Sequence, residues 1–145
     1  MGRGRMGRRN GFPADAPPLV PSLAMAVRAL RGATTVDADT PEQIRERVKA
    51  LMAALYERNA LENDQVISVL VTATPDLRTF HPSTAAREFG LDDVPILGAQ
   101  ELGVEGMVGR CIRVMLHVES DQPRSALQHV FLEGAAALRP DLAAD

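Results

Sequence analysis

The stretch of residues 110–118 constrains the fold of this chain more than any other part of the sequence. Long and β-branched apolar residues alternate along it without Gly or Pro, which is typical of a β-strand. A period of two places one set of residues on one face, Ile112, Val114, Leu116 and Val118, and another set on the other, Cys111, Arg113, Met115 and His117. The sequence therefore predicts a strand that aims an arginine at a partly apolar surface.

Arg113 needs an anionic partner at this position. A guanidinium group keeps its proton, so its partial burial is costly unless an anion meets it. That anion is either a carboxylate of the protein, in a structural salt bridge, or a bound ligand. The strand alone favours the salt bridge but does not decide between the two partners.

Composition limits the function classes to be considered. The chain has 145 residues and is 46% apolar but only 3% aromatic, which suits one domain with an aliphatic core. Its net charge of −3 argues against a general nucleic-acid-binding protein. The single cysteine, Cys111, excludes an internal disulfide. With no apolar run long enough for a membrane span or a secretion signal, a cytoplasmic location is expected.

Residues 1–24 differ from the rest of the chain. They contain four Arg, one Asp, four Pro and four Gly, so that they carry a charge of +3 and leave −6 for residues 25–145. Their lack of apolar periodicity predicts a disordered basic extension. A solvated extension, or a natural start at Met25, is favoured over a segment that contacts nucleic acid or a membrane. The folded domain is expected at residues 25–145.

Two helices are predicted. The first begins at Thr40, with Pro41 in its first turn and Gln43 completing a capping box. The second is a short helix over residues 82–89, with Gly90 past its end. The apolar stripe of the first helix consists of Ile44, Val48, Leu51, Met52 and Leu55.

Strands are predicted at residues 25–31, 66–73 and 94–97 in addition to the strand of Arg113. Gly32 is expected to end the first strand, and residues 98–109 are expected to form a Gly-rich loop that contains Glu101. For residues 124–138 a helix and a turn followed by a strand both fit the pattern. Together these elements predict an α+β domain with helices on one sheet face. A partner chain is expected to close the other face, which predicts a homo-oligomer.

The candidate chemistry is dominated by arginines. Cys111 has no His placed to activate it, which indicates a structural thiol. The three His lack metal-ligand spacing and no Gly-rich phosphate loop is present, so neither a metal nor a cofactor is expected. Four arginines on or beside the predicted elements suit a small dicarboxylate, because a guanidinium group binds a carboxylate bidentately. They are Arg31, Arg87, Arg113 and Arg139.

Several short segments, in order along the chain, form a recognisable pattern. They are Arg31-Gly32-Ala33-Thr34-Thr35-Val36, Ala73-Thr74-Pro75-Asp76-Leu77, Pro95 with Gln100-Glu101, Cys111-Ile112-Arg113-Val114-Met115, His129-Val130 and Leu138-Arg139-Pro140-Asp141-Leu142. These segments resemble the monofunctional trimeric α/β chorismate mutases, which are unrelated in fold to the all-helical chorismate mutases. The resemblance spans residues 25–142 in order. It implies a mixed five-stranded sheet with helices on one face and a strand at residues 129–132. It also implies a homotrimer that forms a pseudo-α/β barrel with active sites between subunits.

The resemblance further implies the Claisen rearrangement of chorismate to prephenate in Phe and Tyr biosynthesis, without a cofactor. By position, Arg113 would donate to the ether oxygen of the substrate as the C–O bond breaks. Glu101 would accept from the ring hydroxyl, and Arg31 would hold a carboxylate. Arg87 and Arg139 would be peripheral charges at the site mouth, with Leu138 packed nearby.

Four positions of the implied site depart from the family pattern. Phe131 stands where a Tyr hydroxyl often assists the Arg31 guanidinium, and Gly98 replaces a frequent Cys. His81 falls where a Phe commonly lines the site, and Thr84 replaces a frequent Lys at the rim. These departures concern substrate affinity more than the reaction.

A trimeric ligand-binding or imine-hydrolysing protein of similar fold is the alternative function. Such a protein would need one Arg for a single carboxylate. The combination of Glu101 with additional arginines favours the mutase.

Overall fold

The computed structural model describes residues 25–141, so the predicted extension at residues 1–24 lies outside the described part. The strands are β1 (Ala26–Thr35), β2 (Val66–Ala73), β3 (Ile96–Gln100), β4 (Cys111–Ser120) and β5 (Val130–Phe131), and the helices are α1 (Pro41–Asn59) and α2 (Pro82–Glu88). The five strands form one sheet in the order β3-β2-β4-β1-β5. β4 pairs antiparallel with β1 and β2, whereas β5 and β3 pair parallel with β1 and β2, respectively. The predicted α+β fold with a mixed sheet is confirmed.

The central strand, β4, has the predicted alternation. One face of β4 is buried in the main core, and no apolar side chain on it is more than 2% exposed. Arg113, Met115 and His117 on the other face are partly exposed. This second face of the sheet, which we call the open face, also leaves Val27, Leu70 and Leu97 exposed by 61%, 39% and 63%.

Helix α1 covers the buried face of the sheet. All five residues of its predicted apolar stripe are fully buried. The hydroxyl of Thr40 accepts a hydrogen bond from the Gln43 amide at 3.2 Å, as expected for an N-cap. The prediction that the Gln43 side chain completes a capping box with Thr40 is wrong. The Gln43 side chain instead accepts from the amides of Asp37 and Ala38, at 2.8 and 3.1 Å, and so joins the helix to the preceding loop.

Gly32 lies inside β1, contrary to the expectation that it would end the strand. The strand continues to Thr35, and Gly32 lies opposite Val114 of β4. A Cβ atom at residue 32 would lie 3.0 Å from a methyl carbon of Leu51 and of Leu55. The glycine therefore permits a close approach of α1 to the sheet, which explains why it is tolerated within a strand.

The Gly-rich loop also begins later than expected, because β3 runs through Gly98 to Gln100 in parallel pairing with β2. Asp76 closes the remaining loop at its far end. Its carboxylate accepts from the Arg110 amide at 2.8 Å and from the Thr74 hydroxyl at 2.5 Å. Burial of the Asp76 carboxyl opposes its ionisation, but these hydrogen bonds together outweigh burial and lower its pKa.

Residues 124–138, for which the sequence allowed either a helix or a turn followed by a strand, contain a strand. A 3₁₀ turn at Arg124–Ala126 leads into β5, and a second 3₁₀ segment, Glu133–Leu138, follows. β5 is only two residues long and pairs with Gly32 and Ala33 of β1. The strand implied by the family resemblance is therefore confirmed.

Candidate active site

One row of residues crosses the open face and includes Arg113. The strand registers place five residues side by side, Phe131, Ala33, Arg113, Thr72 and Ala99. Glu101 follows Ala99 by two positions, so the period of the strand directs it to the same face. Pairing of β3 with β2 is extended by a hydrogen bond from the Glu101 amide to the Ala73 carbonyl at 2.9 Å.

Arg113 and Glu101 form an ion pair within this row. The Nε atom of Arg113 lies 3.1 Å from the Oε1 atom of Glu101, and the two side chains are 27% and 16% exposed. The contact is ionic rather than an aligned hydrogen bond, because the buried Nε–H group has no partner in hydrogen-bond geometry among the described residues. A carboxylate of the protein thus meets the arginine at Nε, and the two terminal nitrogens, which donate to no group among the described residues, keep donors for a ligand oxygen.

Thr72 orients the carboxylate of this pair. Its hydroxyl donates to Oε1 of Glu101 at 2.5 Å from the neighbouring strand β2. A carboxylate with a fixed hydrogen bond on one side presents its remaining lone pairs in defined directions. Thr72 was not among the site residues predicted from the sequence, although a hydroxyl within the apolar run of β2 is a visible signal.

Arg31 lies on the same face of β1. The Cζ atom of its guanidinium group is 5.7 Å from the centre of the Phe131 ring, within the range of a cation–π contact. Phe131 is buried, and Leu138 packs against the small cluster to which it belongs. The structure thus brings together three of the predicted site residues at this end of the sheet.

His129 fixes the backbone of Arg31. The Arg31 amide donates to Nδ1 of His129 at 3.0 Å, which requires Nδ1 to carry no proton. Burial lowers the pKa of His129, and the nearby charges of Arg139 and Arg31 lower it further. The neutral imidazole is therefore the form that this hydrogen bond and its surroundings favour.

The predicted peripheral arginines are exposed. Arg139 pairs with Asp141 through two contacts, at 3.1 and 2.9 Å. Arg87 lies on the exposed side of α2. Cys111 is fully buried, and burial raises the pKa of its thiol, as expected for a structural cysteine.

The remaining predicted residues lie around a cleft beside α2. This cleft, with a volume of about 660 Å³, opens between the ends of β2 and β3 and the start of α2, and it is lined in part by His81 and Gly98. A Cβ atom at residue 98 would lie 3.2 Å from the Ser83 hydroxyl, so Gly98 faces α2 rather than the open face. Thr84, one residue after Ser83, is not among the lining residues. Two groups of predicted site residues thus lie on the two sides of the edge strand, Arg113 with Glu101 on the open face and His81 with Gly98 at the cleft. Arg87 and Thr84 belong to neither group.

The sequence of this chain matches a known protein family. The sequence profile of the family named chorismate mutase type I matches residues 27–142. The chain belongs to this family.

Relatives of this chorismate mutase match it over most of their length. It is 43% identical over 119 residues to chorismate mutase AroH of Bacillus subtilis strain 168, which covers 81% of this chain and 94% of the relative. It is 40% identical over 117 residues to AroH of Thermus thermophilus, with 80% and 96% covered. A solved chorismate mutase from Clostridium thermocellum superposes with a TM-score of 0.74 at 38% identity, covering 76% of this chain and 98% of that chain.

Family membership confirms the predicted chorismate mutase function and, with it, the isomerase class. The solved relative has the same fold. Within residues 25–141, no helix is long and apolar enough to cross a membrane. The same residues contain no group of three His, Cys, Asp or Glu side chains that could hold a metal ion.

Proposed function

We propose that this chorismate mutase converts chorismate to prephenate at sites formed between neighbouring copies of the chain in a homotrimer. The observation that carries the proposal is the division of the predicted site residues into two groups. Arg113 and Glu101 lie on the open face, whereas His81 and Gly98 line the cleft on the other side of β3. A neighbouring copy packed on the open face would supply the second wall of the site and cover the exposed apolar side chains there.

In this proposal Arg113 stabilises the transition state. The rearrangement is unimolecular, so the protein has to hold a compact conformer of chorismate and stabilise the charge that develops on the ether oxygen. The guanidinium of Arg113 is held in place by Glu101 before the substrate binds. A preorganised donor of this kind is worth about 3–4 kcal/mol in the transition state.

Glu101 and Arg31 position the substrate. The Glu101 carboxylate, oriented by Thr72, accepts a hydrogen bond from the ring hydroxyl. Arg31 binds a carboxylate, and the ring face of Phe131 orients its guanidinium where other members of the family use a Tyr hydroxyl. Leu138 packs against this group. Arg87, Arg139 and the Thr84 position belong to the periphery of the site, where exposed cations attract a dianion.

The proposed function also covers the domains, the pathway, the location and the partners of the protein. Residues 25–145 form the chorismate mutase domain and residues 1–24 a basic extension. The enzyme acts in Phe and Tyr biosynthesis in the cytoplasm, needs no cofactor, and has chorismate and two further copies of itself as its partners.

A direct assay tests the activity. Purified protein is mixed with chorismate and the loss of chorismate absorbance is followed, with prephenate formation measured in parallel. Acceleration over buffer is expected. A rate equal to that of buffer would refute the proposed function.

Subunit complementation tests the shared site. Arg113→Ala removes the cation of the open face, and Gly98→Glu places an anion at the cleft wall; each variant alone is expected to be nearly inactive. Refolding of the two variants together in equal amounts should restore one site in each mixed trimer, or about a quarter of all sites, because a site needs one intact face from each of two chains. No recovery in mixed trimers would contradict a site shared between subunits.

A further inference from the structure

We infer that Arg78 binds one of the two carboxylates of the substrate from the cleft side of the site, an inference that rests on the proposed function. Arg78 lies in the loop between β2 and α2 and lines the same cleft as His81 and Gly98. No pattern in the sequence drew attention to it. Its assignment depends on three features of the structure, which are its backbone anchor, the orientation of its guanidinium and the charges around the cleft.

The backbone of Arg78 is anchored to a distant part of the chain. One oxygen of the Asp39 carboxylate accepts from the Arg78 amide at 3.0 Å. The other accepts from the Thr79 amide at 3.2 Å and from the Thr79 hydroxyl at 2.7 Å. Asp39 precedes α1, so this anchor ties the cleft loop to the start of the long helix. It does not use the Arg78 side chain and should survive substitution there.

The guanidinium of Arg78 is oriented but forms no close ion pair, although it attracts the Asp39 carboxylate over a longer distance. Its Nε–H donates to the Pro75 carbonyl at 3.2 Å. Among the described residues, no carboxylate lies within 4.0 Å of this guanidinium, in contrast to Arg113 and Arg139, which pair with Glu101 and Asp141. The two terminal nitrogens of Arg78 therefore retain donors for a ligand, in the planar geometry that suits a carboxylate.

The charge of the substrate requires a second cation. Chorismate carries two carboxylates, and Arg31 on the open face accounts for one of them in the proposed function. Among the described residues that line the cleft, Arg78 is the only arginine or lysine. The hydroxyls of Thr74 and Thr79 already donate to Asp76 and Asp39, which leaves the Ser83 hydroxyl as a neutral donor. An anion buried between subunits on this side would therefore depend on Arg78 for its counter-charge.

Substitutions that separate charge from hydrogen bonding test this inference. In Arg78→Met, KM for chorismate is expected to rise about 10- to 100-fold, the range of a charged hydrogen bond, with kcat changed less than about threefold. Arg78→Lys should recover most of the affinity because it restores the charge. Arg78→Gln should not, although its amide can still donate to the Pro75 carbonyl. Arg124→Met, which removes an exposed arginine of the 3₁₀ turn before β5, is the matched control and should behave as wild type.

The dissociation constant for prephenate, which is also a dicarboxylate, provides a readout that is independent of turnover and should follow the same order. A wild-type KM in Arg78→Met would overturn the inference and leave the proposed function intact. Full recovery by Arg78→Gln would also overturn it, since the side chain would then act on Pro75 rather than on substrate. A wild-type protein that fails to accelerate chorismate rearrangement would instead refute the proposed function.

Discussion

The Nε atom of Arg113 on β4 lies 3.1 Å from Oε1 of Glu101, the residue that follows β3. The two groups come from strands that are not neighbours, because β2 lies between them and contributes Thr72 to the same carboxylate. Three adjacent strands thus fix one cation and one anion in place before any ligand is present. This rigidity is what electrostatic stabilisation of a transition state requires, since the donor does not have to reorganise during the reaction.

Removal of the cation should abolish most of the activity. Arg113→Ala is expected to lower kcat by at least about 100- to 1,000-fold, the effect of deleting one preorganised donor. The effect on the melting temperature should be small, because Glu101 retains the hydrogen bond from Thr72. Steady-state kinetics and a thermal melt check both expectations. Unchanged turnover in this variant would refute the role assigned to Arg113.

The hydroxyl of Thr72 should matter through Glu101 alone. Thr72→Val preserves the side-chain shape but removes the donor, so the carboxylate loses its fixed orientation. A loss of about 5- to 10-fold in kcat/KM is expected, in line with one hydrogen bond of about 1–1.5 kcal/mol. Thr72→Ser keeps the donor and is the control. If the fold-losses in kcat/KM of Thr72→Val and Glu101→Gln multiply fully in the double variant, Thr72 does not act through Glu101.

Stability should depend on pH through His129. Its folded-state pKa lies below the usual 6.5, because of burial and the charges of Arg139 and Arg31, so the unfolded chain takes up a proton first on acidification. The contribution of the neutral imidazole to the free energy of unfolding is therefore fully present above pH 6.5. It is lost as the pH falls from there toward the folded-state pKa. Urea unfolding at a series of pH values checks this. His129→Asn, which can accept from the Arg31 amide but does not titrate, should flatten the dependence between about pH 5 and 7. An unchanged slope in that variant would contradict the assignment.

Enlargement of Gly32 should destabilise the fold. In Gly32→Ala the new methyl group would lie 3.0 Å from Leu51 and Leu55, and overpacking of this kind costs about 1–3 kcal/mol. Addition of Leu51→Val should recover part of the loss by removing a methyl group from the contact. The free energy of unfolding by denaturant is the measurement. A Gly32→Ala variant as stable as wild type would show that α1 can move away from the sheet at no cost.

The proposed trimer should depend on the open face. Leu97 on the edge strand β3 is 63% exposed in the single chain, and burial of an unpaired charge at an interface is strongly unfavourable. Leu97→Asp is therefore expected to dissociate the trimer and to abolish activity together with it. Light scattering should give a mass near three chains for the wild type and near one for the variant. A wild-type protein that is monomeric and active would contradict the proposal.

The sequence by itself determined the local elements and the type of chemistry. The five-residue stripe of α1, the alternation of β4 and the apolar run of β2 each carry their own period, so helix and strand are readable without knowledge of the fold. The order of the Arg and Glu motifs was specific enough to indicate the family. Prediction from the sequence was wrong where distant residues decide the conformation of a position. Gly32 is a strand breaker by propensity, but its pairing with Val114 of β4 and Val130 of β5 keeps it inside β1, where its missing side chain makes room for α1.

Only the tertiary structure decided which groups meet. Arg113 and Thr72 are separated by about forty positions in the chain, and their juxtaposition with Glu101 follows from strand order and register, which local patterns do not encode. The same applies to Arg78, which has no sequence signal and is placed at the cleft by hydrogen bonds to Asp39. A site built from segments that are far apart in the chain depends on long-range strand pairing. The physical reason is that no local sequence pattern records which segments pair.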